Sequence, residues 1–271
     1  MRTFAVFCSL AFSCFASPVV QQKSASELAT VGYAVDLSQG VTLSGFQCIR
    51  QSLYGVAFIR GYSPAGQGQL DPYACANIQN ANLAGLGTEV YMTPLPFSTK
   101  TGIQQFDEMY GGLKNANINV RSIWVQVTSP VNWYSSSTTN INFLNSILSR
   151  ASQYGLSIGI YTSVYDWNKI TGGATVTNAM LWYSNVYGSG VTNESPADYS
   201  DFRSFGGWTT PTVKQFAQVE TVCGVTVNRD IYTVSSTSKS ASMAKFEKSG
   251  EIVVGNFGLE NIGSGKVEIK Q

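Results

Sequence analysis

Residues 121–130 read RSIWVQVTSP, with Ile123, Val125 and Val127 on one side of a strand and Ser122, Trp124, Gln126 and Thr128 on the other. The apolar side suits packing beneath helices, and the polar-aromatic side suits the lining of a site. Further strands are predicted at 33–38, 56–60, 88–93, 156–163, 179–184, 213–219 and 225–232. Between them the apolar positions take helical spacing. Phe46, Ile49 and Leu53 predict a first helix, and residues 71–84, stopped by Gly85, a second. Ile103, Phe106, Tyr110 and Leu113 mark a third, and Ile141, Leu144, Leu148 and Ala151 a fourth. A short helix is expected over 166–170. Residues 185–212 form a long loop, of a length that usually carries function or covers something. The last two strands leave no room for a helix between them. Eight strands, mostly helix-linked, predict an α/β fold: a single-domain, irregular TIM-like β/α barrel over residues 31–232.

The ends read differently. One arginine (Arg2), an apolar run over 4–15 and a small-residue cut site near Ala16 predict a secretory signal peptide over 1–16, too short for a membrane span. A mobile leader is expected over 17–30, and a Ser-rich linker and C-terminal tail over 233–271. The tail holds Ile252-Val253-Val254 and Lys266-Val267-Glu268-Ile269, which leave a hairpin, a loose tail and an extra barrel edge all open. The expected product is an exported, extracellular, soluble monomer.

Charged residues are 12% of the 271 and the formal net charge is +1, so no basic field invites nucleic acid. The chain has no histidine. That excludes Ser-His-Asp and Cys-His catalysis and histidine-bound zinc; no metal or cofactor is expected, and acid–base chemistry falls to Asp and Glu. Once Cys8 and Cys14 leave with the signal peptide, Cys48, Cys75 and Cys223 remain. If the fold closes on itself, Cys48 and Cys223 become neighbours able to form a disulfide, leaving Cys75 as a buried thiol.

Barrels of this kind place their sites at the C-terminal ends of the strands. Period-two alternation gives an inward set of Asp36, Glu89, Tyr91, Gln126, Thr128, Tyr161, Trp182, Gln215, Asn228 and Asp230. Aromatic faces beside carboxylates and amides suit a sugar, with its apolar ring faces and hydroxyl rim. Blander roles stand beside this one. Asp36 could cap a helix, the aromatics could fill the barrel, and Gln126 and Thr128 could satisfy one another. Glu89 is expected to meet a buried donor, and Glu194, Asp198 and Asp201 to be solvated.

At these residues the chain resembles glycoside hydrolase family 25, and more closely the lysozyme-like proteins of nematodes and amoebae. The resemblance rests on AVDLSQ around Asp36, EVYMTP around Tyr91, IWVQVT, GIYT at 159–162, LWY at 181–183 and VKQFAQ at 213–218. It implies a secreted muramidase cutting bacterial cell-wall peptidoglycan, in antibacterial defence or digestion. It also implies that Asp36 orients the substrate's acetamido group, and that Tyr91, Tyr161, Trp182, Gln215 and Asn228 hold sugars. The family's fourth strand carries Asp-x-Glu, the Glu being the proton donor, where this chain has Gln126-Val127-Thr128. The last strand usually offers Val-Asp-x-Asn, where this chain has Val227-Asn228-Arg229-Asp230. Asp36 and Asp230 are then the carboxylates left for catalysis, with Asp166 a further acid at a loop end. Losing a general acid costs about 10²–10⁴ in rate. Three readings follow: a muramidase with an altered site, a glycan binder that does not cut, and a secreted protein that keeps only the fold.

Overall fold

The computed structural model describes residues 31–234, 251–255, 257 and 267–270. The signal-peptide and leader readings, and nearly all of the Ser-rich linker, lie outside the described residues. The eight strands of the barrel are β1 (Val31–Leu37), β2 (Tyr54–Ser63), β3 (Gly87–Met92), β4 (Ser122–Val127), β5 (Ser157–Thr162), β6 (Met180–Ser184), β7 (Val213–Val222) and β8 (Val225–Thr233). Neighbours in sequence pair in parallel from β1 to β7. The last strand runs back antiparallel to β7 and, on its other side, to β1, which closes the ring. The alternation in β4 is as its sequence predicts. Ile123, Val125 and Val127 join the core between barrel and helices, while Trp124 joins the core inside the barrel.

Five helices, α1 (Leu43–Gln51), α2 (Ala74–Leu83), α3 (Gly102–Asn115), α4 (Ser137–Gln153) and α5 (Val164–Thr171), lie in the order expected. Their ends follow local chemistry. Thr42 accepts from the Gly45 N–H to start α1, and Thr101 with Gln104 forms a capping box on α3. Gly85, at φ +80°, stops α2: its N–H reaches the Asn82 carbonyl and that of Leu86 reaches Ala81, a Schellman arrangement.

Three helical expectations need correcting. Leu53 lies beyond α1, at φ +71° and 81% exposed, so it is not part of the buried stripe. Ile103 is exposed on α3, and Gln105 turns inward instead to bond the backbone of Leu95. The second helix begins at Ala74 rather than at residue 71, because the Asp71 carboxylate is occupied by the Tyr73 N–H and by Arg60.

Residues 185–212 fold against the outer face of β7 and β8, where no helix lies. Two cations hold them there. The ammonium of Lys214, wholly buried, donates to the carbonyls of Pro196 and Asp198 and to Asp201 at 2.7 Å. Arg229 bridges Glu194 at 2.6 Å and Glu220 at 3.0 Å. Glu194 and Asp201 are therefore not the solvated groups expected from sequence, whereas Asp198 is exposed and binds Ser200.

The tail strands pair apart from each other. Ile252–Val254 runs parallel to Ile118–Val120, and Glu268–Lys270 antiparallel to Thr175–Thr177. Beyond the first of them Phe257 enters the inner core and stacks on Phe58 at 6.1 Å. Cys48 and Cys223 form the disulfide across 175 residues of sequence, and Cys75 is free but only half-buried. No helix among the described residues is long and apolar enough to cross a membrane.

Candidate functional site

Asp36 is the penultimate residue of β1, where strand pairing sets it between Asn228 of β8 and Phe58 of β2. It is not a helix cap; Thr42 fills that role. One carboxylate oxygen accepts from Asn228 Nδ2 at 2.9 Å and the other from Gln215 Nε2 at 2.7 Å. The amide oxygen of Gln215 in turn accepts from the Tyr161 hydroxyl at 3.0 Å. Burial pushes the Asp36 carboxyl up to about 6, against the pull of the Asn228, Gln215 and Asp230 hydrogen bonds.

Asp230, on the inner face of β8 opposite Ala34, sits diagonally below Asp36 of β1. Its Oδ1 accepts from Trp182 Nε1 at 2.8 Å, while its Oδ2 has no donor. Burial, and then the charge of Asp36, push this carboxyl well above the usual range. Burial and the neighbouring Asp36 charge both favour the neutral form of Asp230. Two carboxyls enclosed so closely cannot both ionise cheaply, so the pair retains a proton.

Around the pair stands an aromatic wall. Tyr161 stacks on Trp182 at 4.0 Å, and Tyr91 meets Trp182 edge-on at 5.9 Å. Accessibility separates the roles here. Asp36 is 4% exposed and Tyr91 and Tyr161 are exposed to a similar slight degree, whereas Trp182, Gln215 and Asp230 are wholly buried. Trp182 and Gln215, expected from sequence to hold sugars, have no exposed surface in this conformation. Trp182 holds Asp230, and Gln215 holds Asp36. Asn228 is half-buried, and beside its bond to Asp36 its amide oxygen accepts from the Val219 N–H.

Gln126 and Thr128 form a closed neutral chain. Thr93 Oγ1 donates to Gln126 Oε1 at 2.6 Å, and Gln126 Nε2 donates to Thr128 Oγ1 at 2.9 Å. No acid stands in this chain. Nearby, Asp166 opens α5, where Ser163 Oγ donates to it at 2.9 Å and the Ser129 backbone also bonds it; burial nudges its carboxyl upward. Glu89 lies deeper, bonded by Ser122 Oγ, Trp124 Nε1 and the Phe257 N–H, which is the buried-donor role expected of it.

Sequence reasoning missed two residues. Arg60 of β2 lies next to Tyr91 in the strand pairing and is close enough to act on the Tyr91 hydroxyl electrostatically. It is bound through Nε to Asp71 at 2.7 Å. The signal was present: Phe58 faces inward, and period two carries Arg60 to the same face.

Against known proteins, residues 27–216 match the family model for lysozyme-like protein 1. The chain belongs to the lysozyme-like proteins of glycoside hydrolase family 25. It is 55% identical over 234 residues to lysozyme-like protein 7 of Caenorhabditis elegans, covering 86% of this chain and 81% of that one. It is 35% identical over 193 residues to the probable GH family 25 lysozyme 2 of Dictyostelium discoideum, covering 70% of this chain and 86% of that one. In fold it resembles a family GH25 lysozyme from Aspergillus fumigatus, with TM-score 0.60 at 16% identity over 80% of this chain and all of the other. A muramidase from Trichobolus zukalii gives TM-score 0.59 at 19% identity, over 78% of this chain and 98% of the other. The family-25 barrel is thus present with Asp36 at the end of its first strand and a neutral amide–hydroxyl chain on its fourth.

Proposed function

We propose that this is an exported lysozyme-like protein that binds bacterial peptidoglycan in the groove over Asp36 and cleaves it in the muramidase manner, serving antibacterial defence or digestion. The observation that carries the reading is the Asp36 carboxyl, held by Asn228 and Gln215 and raised together with Asp230, beside the Tyr91, Tyr161 and Trp182 rings. Glycoside cleavage needs a carboxyl still protonated near working pH. The coupled pair, Asp36 raised to about 6 and Asp230 raised further, can keep one such proton near that pH. Asp230 beneath Asp36 helps to keep the proton in the pair. With a single accessible carboxyl, cleavage is slower than with a full acid pair by about 10²–10⁴.

The neutral Thr93–Gln126–Thr128 chain favours a second reading, in which the groove grips glycan without cutting it. A lysis assay on purified peptidoglycan, with sedimentation binding in parallel, separates the two. New reducing ends released by the wild type and abolished by Asp36→Asn support the enzyme. Binding without release, and cleavage appearing only in Gln126→Asp/Thr128→Glu, would make the barrel a glycan binder.

A further inference from the structure

We propose that Arg60 is a specificity-determining residue that receives a carboxylate carried by the glycan chain; this rests on the glycan-groove reading above. Arg60 follows Phe58 on the inner face of β2, and Phe58 lies in the closed aromatic core. A register irregularity after Arg60 then releases Tyr62 outward, where its hydroxyl bonds Glu108 of α3. Arg60 therefore stands on the inner face of its strand, at the level of Tyr91.

The guanidinium is fixed from one side only. Its Nε donates to Asp71 Oδ2 at 2.7 Å. Asp71 is itself buried and locked: its other oxygen accepts from the Tyr73 N–H at 2.9 Å, and its own N–H bonds the Gly61 carbonyl at 2.8 Å. Holding Nε in this way sets the plane of the guanidinium and leaves both Nη groups, which meet no protein acceptor among the described residues. The Arg60 side chain is 24% exposed against 1% for Asp71, so the free end is the accessible one. Two parallel N–H groups on a preset plane are the geometry that matches a carboxylate. The inner-face groups around it are aromatic or neutral amide and hydroxyl, apart from the Asp36–Asp230 pair and the deeper Glu89, whose carboxylate is occupied by Ser122, Trp124 and the Phe257 N–H. Arg60 is thus the cation that faces an incoming chain beside Tyr91.

A chain built only of N-acetylglucosamine is neutral and offers nothing to this fork. A chain containing muramic acid offers a carboxylate, either on its lactyl ether or on an attached peptide. Both sources share one chemistry, and the test separates them.

The experiment is isothermal titration of wild type, Arg60→Gln and Arg60→Lys with three oligomers. These are a neutral chito-oligosaccharide, a peptide-free oligomer alternating N-acetylglucosamine and N-acetylmuramic acid, and the same oligomer carrying stem peptides. The wild type is expected to favour a carboxylate-bearing oligomer over the neutral one. Arg60→Gln is expected to lose about tenfold or more on that oligomer while its neutral binding moves within about twofold. Arg60→Lys is expected to fall between, since it keeps the charge and loses the fork. A loss confined to the peptide-bearing oligomer assigns the carboxylate to the peptide, and a loss on both assigns it to the lactyl group. Equal losses on neutral and acidic oligomers, or no loss on either, overturn the role of Arg60 while leaving the groove standing. Failure of the wild type to bind any of the three overturns the groove reading itself. Should Arg60→Gln prove unfolded by circular dichroism, the Arg60→Lys ratio of acidic to neutral affinity decides alone: an unchanged ratio overturns the proposal.

Discussion

Asp36 ionises in the unfolded chain near its ordinary 3.8 but in the folded protein only near about 6. A carboxyl raised on folding stabilises the fold fully below its unfolded value, and that contribution is lost as pH rises through the folded one. For Asp36 the loss amounts to about 3 kcal/mol between about pH 4 and pH 6, and Asp230 adds to it in the same direction. Asp201 works oppositely and only below about pH 4, because its bonds to Lys214, Tyr183 and Asn185 outweigh burial and hold it low. Asparagine fits at Asp230, accepting from Trp182 and donating to Asp36. The expected outcome is a wild-type urea midpoint that falls from pH 4 to pH 7, and a visibly shallower fall in Asp230→Asn. Parallel curves would mean that the two carboxyls do not share a proton. Much of this site was legible as alternation, since Asp36, Gln215, Asn228 and Asp230 all lie on faces the period-two pattern predicts. Accessibility was not legible. A pattern assigns a face but not a depth, so it does not tell that Trp182 and Gln215 lie wholly buried beneath Asp36 and its neighbours.

At the scale of elements, the alternation and the helical spacing located every barrel strand and helix, and tertiary contacts then moved the ends. Asp71 illustrates the reason. Its place before an apolar segment suggests a helix start, yet its carboxylate is taken by Arg60, a partner 11 residues away on β2. The long loop shows the same limit. Nothing local in residues 185–212 tells that Lys214, outside them, will hold them down. Lys214 is an outward residue of β7 buried beneath that loop, satisfied by two carbonyls and Asp201. Removing one partner of such an arrangement leaves the others buried without compensation, at a cost of about 3–5 kcal/mol. Lys214→Met is expected to lose about that much stability and to make the loop the first site of limited proteolysis. Adding Asp201→Asn should recover part of the loss, because the orphaned charge goes with it. Protease resistance unchanged in Lys214→Met would show that the loop is held elsewhere.

For the whole molecule, the closing contact joins the two ends of the barrel sequence. The first strand pairs with the last, Val31 opposite Thr233 and Asp36 opposite Asn228. Such pairing gives nothing until nearly the whole chain has been laid down, so it carries a large loop-closure cost. The disulfide lies at this seam, joining Cys48 of the first helix to Cys223 in the turn between β7 and β8. By spanning 175 residues it removes much of the freedom that the unfolded chain would otherwise have. Cys48→Ser/Cys223→Ser is therefore expected to lose about 2–5 kcal/mol, read as a lower urea midpoint. The arrangement around Asp36 should persist in that variant, because Asp36 is held by Asn228 and Gln215 and not by the sulfur bridge. Chito-oligosaccharide affinity measured well below the unfolding midpoint is then expected to match the wild type. A variant of full stability would mean that the unfolded chain is already compact at this seam. A stable variant that no longer binds would mean that the bridge sets the position of β8, and with it the two residues that hold Asp36.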